Sequence, residues 1–187
     1  AVGKGHLEIC RFLIKNSVHK NPVQANGYTA FECAAGKHVE ISKLFVKNGI
    51  DVNCSDKLNC SPLCWACYQG HVDIVKRLLL VKEININQAR NGGATSLFMA
   101  CQQGHTNVVN LLVKAKDIDL QKSNNKGWTP LRKAKQKKHQ EIVKLLTDSG
   151  KEQTGKIFDS KHLDKLDANT TTLDLSLLNI TSKDLIL

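Results

Sequence analysis

The sequence predicts an all-α solenoid, a stack of helix–turn–helix units, over residues 1–150. The first observation is a phrase that recurs: GHVDIVKRLL begins at Gly70, GHTNVVNLL begins at Gly104, and looser versions occur elsewhere. Its histidines are separated by 32, 33, 34 and 34 residues, a period typical of repeat architectures; they are His6, His38, His71, His105 and His139. The second observation is the composition. A chain with 41% hydrophobic but only 5% aromatic residues suits the thin core of a stack whose units pack only on their neighbours.

The first helix of each unit is predicted from the hydroxyl-bearing residue at its start. In unit three, Ser61 is the expected N-cap, and Pro62 suits the first helical position, where its missing N–H costs nothing. Thr29, Thr95 and Thr129 hold the same place in other units. A residue that tolerates positive φ precedes each opener, and a small alanine follows it, which predicts a hairpin tip and a close approach of helices. These residues are Gly27, Asn59, Gly93 and Gly127 for the tips, and Ala34, Ala66, Ala100 and Ala134 for the helices.

The second helix is predicted to follow the repeated Gly-His pair. In unit three Gly70 ends the first helix, and HVDIVKRLLL then places apolar residues on one side of a second helix; they are Val72, Ile74, Val75, Leu78 and Leu79. The segment EININ is expected to be a short extended lead-out. The histidines occur once per unit, at the start of the second helix, so we interpret them as structural residues and not as ligands of a shared metal ion.

These units resemble ankyrin repeats. The segments 127–150, GWTPLRKAKQKKHQEIVKLLTDSG, and 91–120, NGGATSLFMACQQGHTNVVNLLVKAKDIDL, are similar to the family's unit, and NGIDVN (48–53) is similar to its lead-out. The resemblance covers about residues 1–150. It implies an ankyrin-repeat solenoid of about five units, with hairpin tips and first-helix faces forming a concave surface that binds another protein.

The chain departs from the family's unit in several places. The histidine that follows the TPL motif is replaced by Glu32, Cys64, Phe98 and Arg132, so its hydrogen bonds between units must be lost or replaced, and a somewhat less stable stack is expected. Unit two is one residue short, and units three and four each carry one extra residue before NIN and DLQ. We expect local changes in loops from these differences.

The two ends of the chain differ from the repeats. Ala1 aligns with Ala34, so the first unit is truncated, and the chain is expected to be a fragment of a longer protein. Residues 151–168 are expected to be a linker, with a short helix around residues 157–166. Residues 169–187 contain LDLSLLNITSKDLIL, which resembles the start of a leucine-rich repeat; an amphipathic tail packed on the array is the alternative. The resemblance rests on Leu173, Leu175, Ser176 and Ile180.

The chemistry-bearing residues do not predict an enzyme or a cofactor site. Cys54, Cys60, Cys64 and Cys67 cluster in sequence, and four thiolates can hold zinc. The repeat alignment instead places Cys64 and Cys67 at helix positions that favour small core residues, so no metal site is predicted. No phosphate-binding glycine loop and no nucleophile–base set occurs. No apolar run is long enough for a membrane helix, and the N-terminus AVGKGHLEIC is not a signal peptide.

Binding to a protein partner is therefore the predicted function. Alignment with the family assigns the following residues to the concave surface: Tyr28, Lys57, Leu58, Cys60, Tyr68, Gln69, Asn91, Ala94, Gln102, Gln103, Asn125, Lys126, Trp128, Gln136 and Lys137. The aromatic residues among them are the expected anchors, although packing against neighbouring units is an equal alternative for Tyr68 and Trp128. The expected setting is a larger intracellular protein, in the cytoplasm or the nucleus, and the partner is expected to offer an acidic or extended segment.

Two other functions remain open at this point. The array and its tail together resemble the front end of leucine-rich-repeat kinases and GTPases, which would make it the regulatory arm of a signalling enzyme. The second open function follows from the distribution of charge. Residues 1–150 hold 22 Lys and Arg against 11 Asp and Glu, a balance of +11, whereas residues 151–187 hold 5 Lys and Arg against 6 Asp and Glu. The basic residues of the last unit are expected either to give a capping unit its polar outer face or to form a basic patch for nucleic acid or anionic lipid; they are Arg132, Lys133, Lys135, Lys137 and Lys138.

Overall fold

The computed structural model describes residues 2–16 and 29–157, and these ranges confirm the predicted all-α fold. A 3-10 turn, Val2–Lys4, precedes the first helix. The helices then run as α1 (Leu7–Lys15), α2 (Ala30–Lys37), α3 (Val39–Lys47), α4 (Pro62–Gln69), α5 (Val72–Leu79), α6 (Ser96–Gln103), α7 (Thr106–Leu112), α8 (Pro130–Gln136) and α9 (Gln140–Ile157). The described ranges contain no sheet; an isolated antiparallel bridge joins Ala89 and Thr95.

The helices pack as two parallel rows. The first helices α2, α4, α6 and α8 contact one another in order along one row, and α1, α3, α5 and α7 do so along the other. The alanines predicted at the close approach, Ala34, Ala66, Ala100 and Ala134, are fully buried. Leu63, Leu97 and the second-helix residues Ile74, Val75 and Leu78 complete a continuous core. Removing this apolar surface from water is the main force holding the rows together.

The predicted helix starts are confirmed in units three to five. The hydroxyls of Ser61, Thr95 and Thr129 accept hydrogen bonds from the backbone N–H three residues on, at 3.2, 3.3 and 3.2 Å. Each such N-cap stabilises a helix by about 1 kcal/mol. The tip residues Asn59, Gly93 and Gly127 have φ of 56°, 81° and 69°, as the hairpin prediction requires.

The recurring Gly-His pair joins neighbouring units, because the glycine of one unit contacts the histidine of the next. Gly70 and Gly104 end α4 and α6 with φ of 78° and 83°, and the histidine ring of the next unit lies directly against each glycine. A Cβ at Gly70 would lie 2.7 Å from the ring of His105, and one at Gly104 would lie 2.7 Å from the ring of His139. Glycine is therefore needed both for its backbone conformation and for the space it leaves. The ring of His105 also hydrogen-bonds the carbonyl oxygen of Tyr68 at 3.0 Å.

Unit five departs from this pattern. Lys138 follows α8 in the place of the glycine and adopts a φ of 61°, which is unfavourable for a residue with a Cβ.

Two asparagines join the loops that follow the second helices. Asn53 donates to the carbonyl oxygen of Glu83 at 2.7 Å and accepts from the N–H of Asn85 at 2.7 Å. Asn87 repeats the arrangement one unit later, with the carbonyl oxygen of Asp117 at 2.7 Å and the N–H of Asp119 at 2.9 Å. The lead-out predicted from EININ is short, as expected, but it forms no strand: residues 83, 86 and 87 lie in turns, and residues 84 and 85 have no regular structure. Side-chain amides, rather than strand pairing, satisfy its backbone groups.

The linker predicted over residues 151–168 begins as helix, since α9 continues to Ile157. The rest of the linker and the leucine-rich-repeat prediction for residues 169–187 lie outside the described residues, and the domain boundaries stay predictions.

Candidate functional site

The hairpin tips form a bonded row. The N–H of Asn91 donates to the carbonyl oxygen of Leu58 at 2.7 Å, and the N–H of Asn125 donates to that of Gly92 at 3.0 Å. The side-chain amide of Asn91 also donates to the carbonyl oxygen of Lys57 at 3.2 Å. The side chains predicted to contact a partner are exposed at these tips; they are Lys57, Leu58, Asn91, Asn125 and Lys126. Because each tip is fixed to the next, the row can receive a partner with little loss of loop entropy.

A groove of about 300 Å³ lies between the tips and the first helices of units three and four. We call it the aromatic groove; it is lined by Leu58, Cys60, Trp65, Tyr68, Arg90, Met99 and Gln102. The rings of Trp65 and Tyr68 meet edge to face, with centroids 6.0 Å apart. Sequence alignment predicted Leu58, Cys60, Tyr68 and Gln102 for this surface, and the structure brings them together. It also adds Trp65, Arg90 and Met99, which the sequence prediction missed.

Asp56 holds one wall of the aromatic groove in place. Its carboxylate is almost fully buried, and one oxygen accepts from the N–H groups of Leu58 and Cys60 at 2.8 and 2.9 Å. The other oxygen accepts from the indole N–H of Trp65 at 3.2 Å. A buried charge with this many donors is compensated, so it fixes the hairpin and the ring together.

Arg90 brings a cation to the same groove. Its Nε atom is buried and has no hydrogen-bond partner among the described residues. Leaving a buried donor unpaired costs about 1–3 kcal/mol. A carboxylate bound in the groove would supply an acceptor for the guanidinium.

Three buried thiols of units three and four, those of Cys60, Cys67 and Cys101, have a raised pKa. The Sγ atoms of Cys60 and Cys64 lie 2.8 Å apart, and this hydrogen bond, together with burial, raises the pKa of Cys60. Burial raises the pKa of Cys101 to about 12 and raises that of Cys67. Thiolates are the form that binds zinc. Within residues 2–16 and 29–157, no three His, Cys, Asp or Glu side chains are grouped to hold a metal ion.

Trp128 organises part of the basic patch. The Arg132 guanidinium lies 4.3 Å from the centre of the Trp128 ring, and Lys133 Nζ lies 5.3 Å from it, both at cation–π distance. Lys133 also donates to Gln136 at 2.9 Å. Arg132, which replaces the family's histidine, thus bonds to its own unit. The remaining patch residues, Lys135, Lys137 and Lys138, are exposed.

The other predicted residues fall into four groups. Gln69 and Gln103 are exposed at the ends of α4 and α6, each one residue after a residue that lines the aromatic groove. Ala94 is buried, so it contributes packing rather than a contact surface. Tyr28 lies outside the described residues. Tyr68 and Trp128 are half-buried and pack, with Trp65, against a buried cluster formed by Cys60, Cys64, Ala94, Phe98 and Met99. Both residues therefore pack against the array, as the alternative interpretation expected, and both remain partly exposed.

The comparisons with known proteins agree with this geometry. The family model described as Ankyrin repeats matches three overlapping segments, residues 1–56, 43–124 and 63–157. The search of curated proteins found no match to the chain. In the part of the chain that the structure describes, no helix is both long and apolar enough to cross a bilayer.

Proposed function

Because the chain belongs to the ankyrin-repeat family, we propose that residues 1–150 are a non-catalytic protein–protein interaction module of a larger intracellular protein. A partner segment binds along the hairpin tips and the first helices, and the aromatic groove receives its anchoring side chain. Repeat arrays commonly use such extended surfaces for binding.

The aromatic groove is the observation that supports this proposal. It combines two aromatic rings, the flexible side chain of Met99 and the cationic side chain of Arg90 in about 300 Å³. Aromatic and arginine side chains contribute most of the binding energy in protein interfaces. Trp65 is also held in place before a partner arrives, so little rotamer entropy is lost on binding.

A random peptide library displayed on phage and selected on the full 187-residue chain tests the proposal. Peptides that bind here should lose at least tenfold in affinity with Tyr68→Ala or Arg90→Gln. The matched control is Phe12→Ala, which removes an aromatic ring that is 65% exposed on α1, away from the groove. If every selected peptide binds the Tyr68 and Arg90 variants as well as it binds wild type, or if none is selected, the aromatic groove is not the binding site.

A second candidate function is the binding of nucleic acid or anionic lipid by the last unit. It is supported by Lys135, Lys137 and Lys138, which are exposed and make no ion pair among the described residues. The affinity for a labelled DNA duplex or for phosphatidylserine vesicles should fall steeply with salt and fall further in Lys135→Glu/Lys137→Glu. Affinity that responds to neither change would exclude this function.

The regulatory-arm hypothesis depends on the segment 169–187, which lies outside the described residues. Sequencing the full-length transcript on both sides of this segment tests it. A kinase or GTPase domain in the same reading frame would support it, and its absence would leave the interaction module as an adapter.

A further inference from the structure

A second groove, of about 520 Å³, lies between the loops that follow the second helices of units three and four. We call it the loop groove; its lining comes from residues 79–86 and 111–117. It shares no residue with the aromatic groove. Its volume lies in the range of about 300–1,000 Å³ typical of ligand sites.

The two loops are the ones that each carry one residue more than the family's unit. Both are also pinned. Asn53 holds the first loop at Glu83 and Asn85, and Asn87 holds the second at Asp117 and Asp119. The groove is therefore formed before any partner binds, which lowers the entropic cost of binding.

The floor of the loop groove is apolar and partly open. Leu79, Val81, Ile84 and Leu111 are half-buried in its lining. Leu80 also lines the groove, and it is 81% exposed, the largest exposed fraction among the large apolar side chains of the described residues. Apolar surface of this kind, rimmed by charged groups, is typical of interaction sites.

The rim of the loop groove is positively charged. Lys82, Lys114 and Lys116 line it, against the single carboxylate of Asp117. None of these lysines forms an ion pair or a hydrogen bond among the described residues. Charge complementarity therefore favours an anionic occupant.

We propose that the loop groove binds an acidic peptide segment of a partner protein. Apolar side chains of the segment cover Leu80 and fill the floor, and neighbouring carboxylates pair with Lys82, Lys114 and Lys116. A second copy of this array is a poor occupant, since residues 1–150 carry a balance of +11, from 22 basic and 11 acidic residues. A bilayer is also a poor fit, because a flat surface offers no side chain to fill a groove.

The test uses the full chain and a random peptide phage library. Peptides are selected on wild type after removal of those that bind Lys114→Glu/Lys116→Glu. The matched control is Lys15→Glu/Lys47→Glu, which makes the same change of charge at exposed lysines at the ends of α1 and α3, outside every proposed binding surface. We expect the selected peptides to carry Asp or Glu beside apolar residues, to bind at least tenfold more weakly to the groove variant, and to bind the control within twofold of wild type.

Leu80→Ser provides the second variant, and it should weaken the same peptides at least threefold without changing thermal unfolding. Three results would overturn the proposal: no peptide distinguishes wild type from the groove variant, the two double variants weaken binding equally, or the selected peptides lack acidic residues. If no peptide is selected, but phosphatidylserine vesicles bind wild type and not the groove variant, the occupant of the loop groove is a membrane surface and the peptide proposal is overturned.

Discussion

Replacement of Gly104 by alanine tests the contact that joins the units. Two costs are expected from the structure. Gly104 has a φ of 83°, a conformation that costs a residue with a Cβ about 1–2 kcal/mol. The new Cβ would also lie 2.7 Å from the ring of His139, and overpacking of this kind costs typically about 1–3 kcal/mol.

A matched glycine separates the two costs. Gly49 follows α3 with a φ of 66°, and a Cβ placed there would meet nothing within 4 Å. Alanine loses less chain entropy on folding than glycine, which returns about 0.4–1 kcal/mol in both variants. We therefore expect Gly49→Ala to lower the free energy of unfolding by about 1 kcal/mol and Gly104→Ala to lower it by about 2–4 kcal/mol.

Urea unfolding followed by circular dichroism and by tryptophan fluorescence measures both values, since Trp65 reports on unit three and Trp128 on unit five. The extra cost of Gly104→Ala should disappear in a His139→Ala background, where the ring is absent. If Gly104→Ala costs no more than Gly49→Ala, or if the extra cost persists without the ring, the histidine contact does not have the importance that the geometry assigns to it.

Three further predictions follow from contacts in the same array. Lys138→Gly should raise the free energy of unfolding by about 0.5–1 kcal/mol, because it relieves a φ of 61°; a lower urea midpoint would contradict this. Asn87→Ala removes two hydrogen bonds between loops, so it should lower the free energy of unfolding by about 1–3 kcal/mol and speed amide hydrogen exchange at residue 119. Unchanged exchange there would show that Asn87 does not hold the second loop. Burial raises the pKa of Cys101 from 9.0 to about 12 and also raises that of Cys67, so the unfolded chain releases thiol protons before the folded one does. The stability that these two thiols contribute should be fully present below about pH 9 and be lost as the pH rises towards 12. The urea midpoint of Cys67→Ala/Cys101→Ala should therefore fall less over this range than that of wild type.

The architecture was predictable from the sequence because its determinants are local. A helix start depends on a residue such as Ser61 and the backbone N–H three positions away, and both lie in one stretch of chain. The hairpin tips depend on the conformational freedom of Gly93 and Asn59. A period of about 33 residues then repeats these local signals, so each unit supports the prediction for the others.

The lining of the aromatic groove was predictable only in part, because it combines residues from neighbouring units. Tyr68 and Gln102 were found by their alignment to surface positions. Trp65 and Arg90 were missed, since their environment is set by Asp56 and by the adjacent hairpin. A usable signal was present for Trp65, which lies three residues before Tyr68 and therefore on the same helix face.

The loop groove was also predictable only in part from the sequence. The sequence located one additional residue in units three and four, and local loop changes were expected there. It did not indicate that two such loops would border one groove, or that Asn87 would fix their positions, because these contacts span 30 residues or more of chain.

Lys138 also bears on how an array of this kind can be lengthened. A sixth unit copied from unit four would bring a histidine ring against residue 138. The Cβ of Lys138 would then lie where Gly70 and Gly104 leave room for such a ring. A protein engineer who grafts such a unit onto this array would first need glycine at position 138. Gene duplication would meet the same obstacle, so one codon in unit five decides whether the copied interface can be reused.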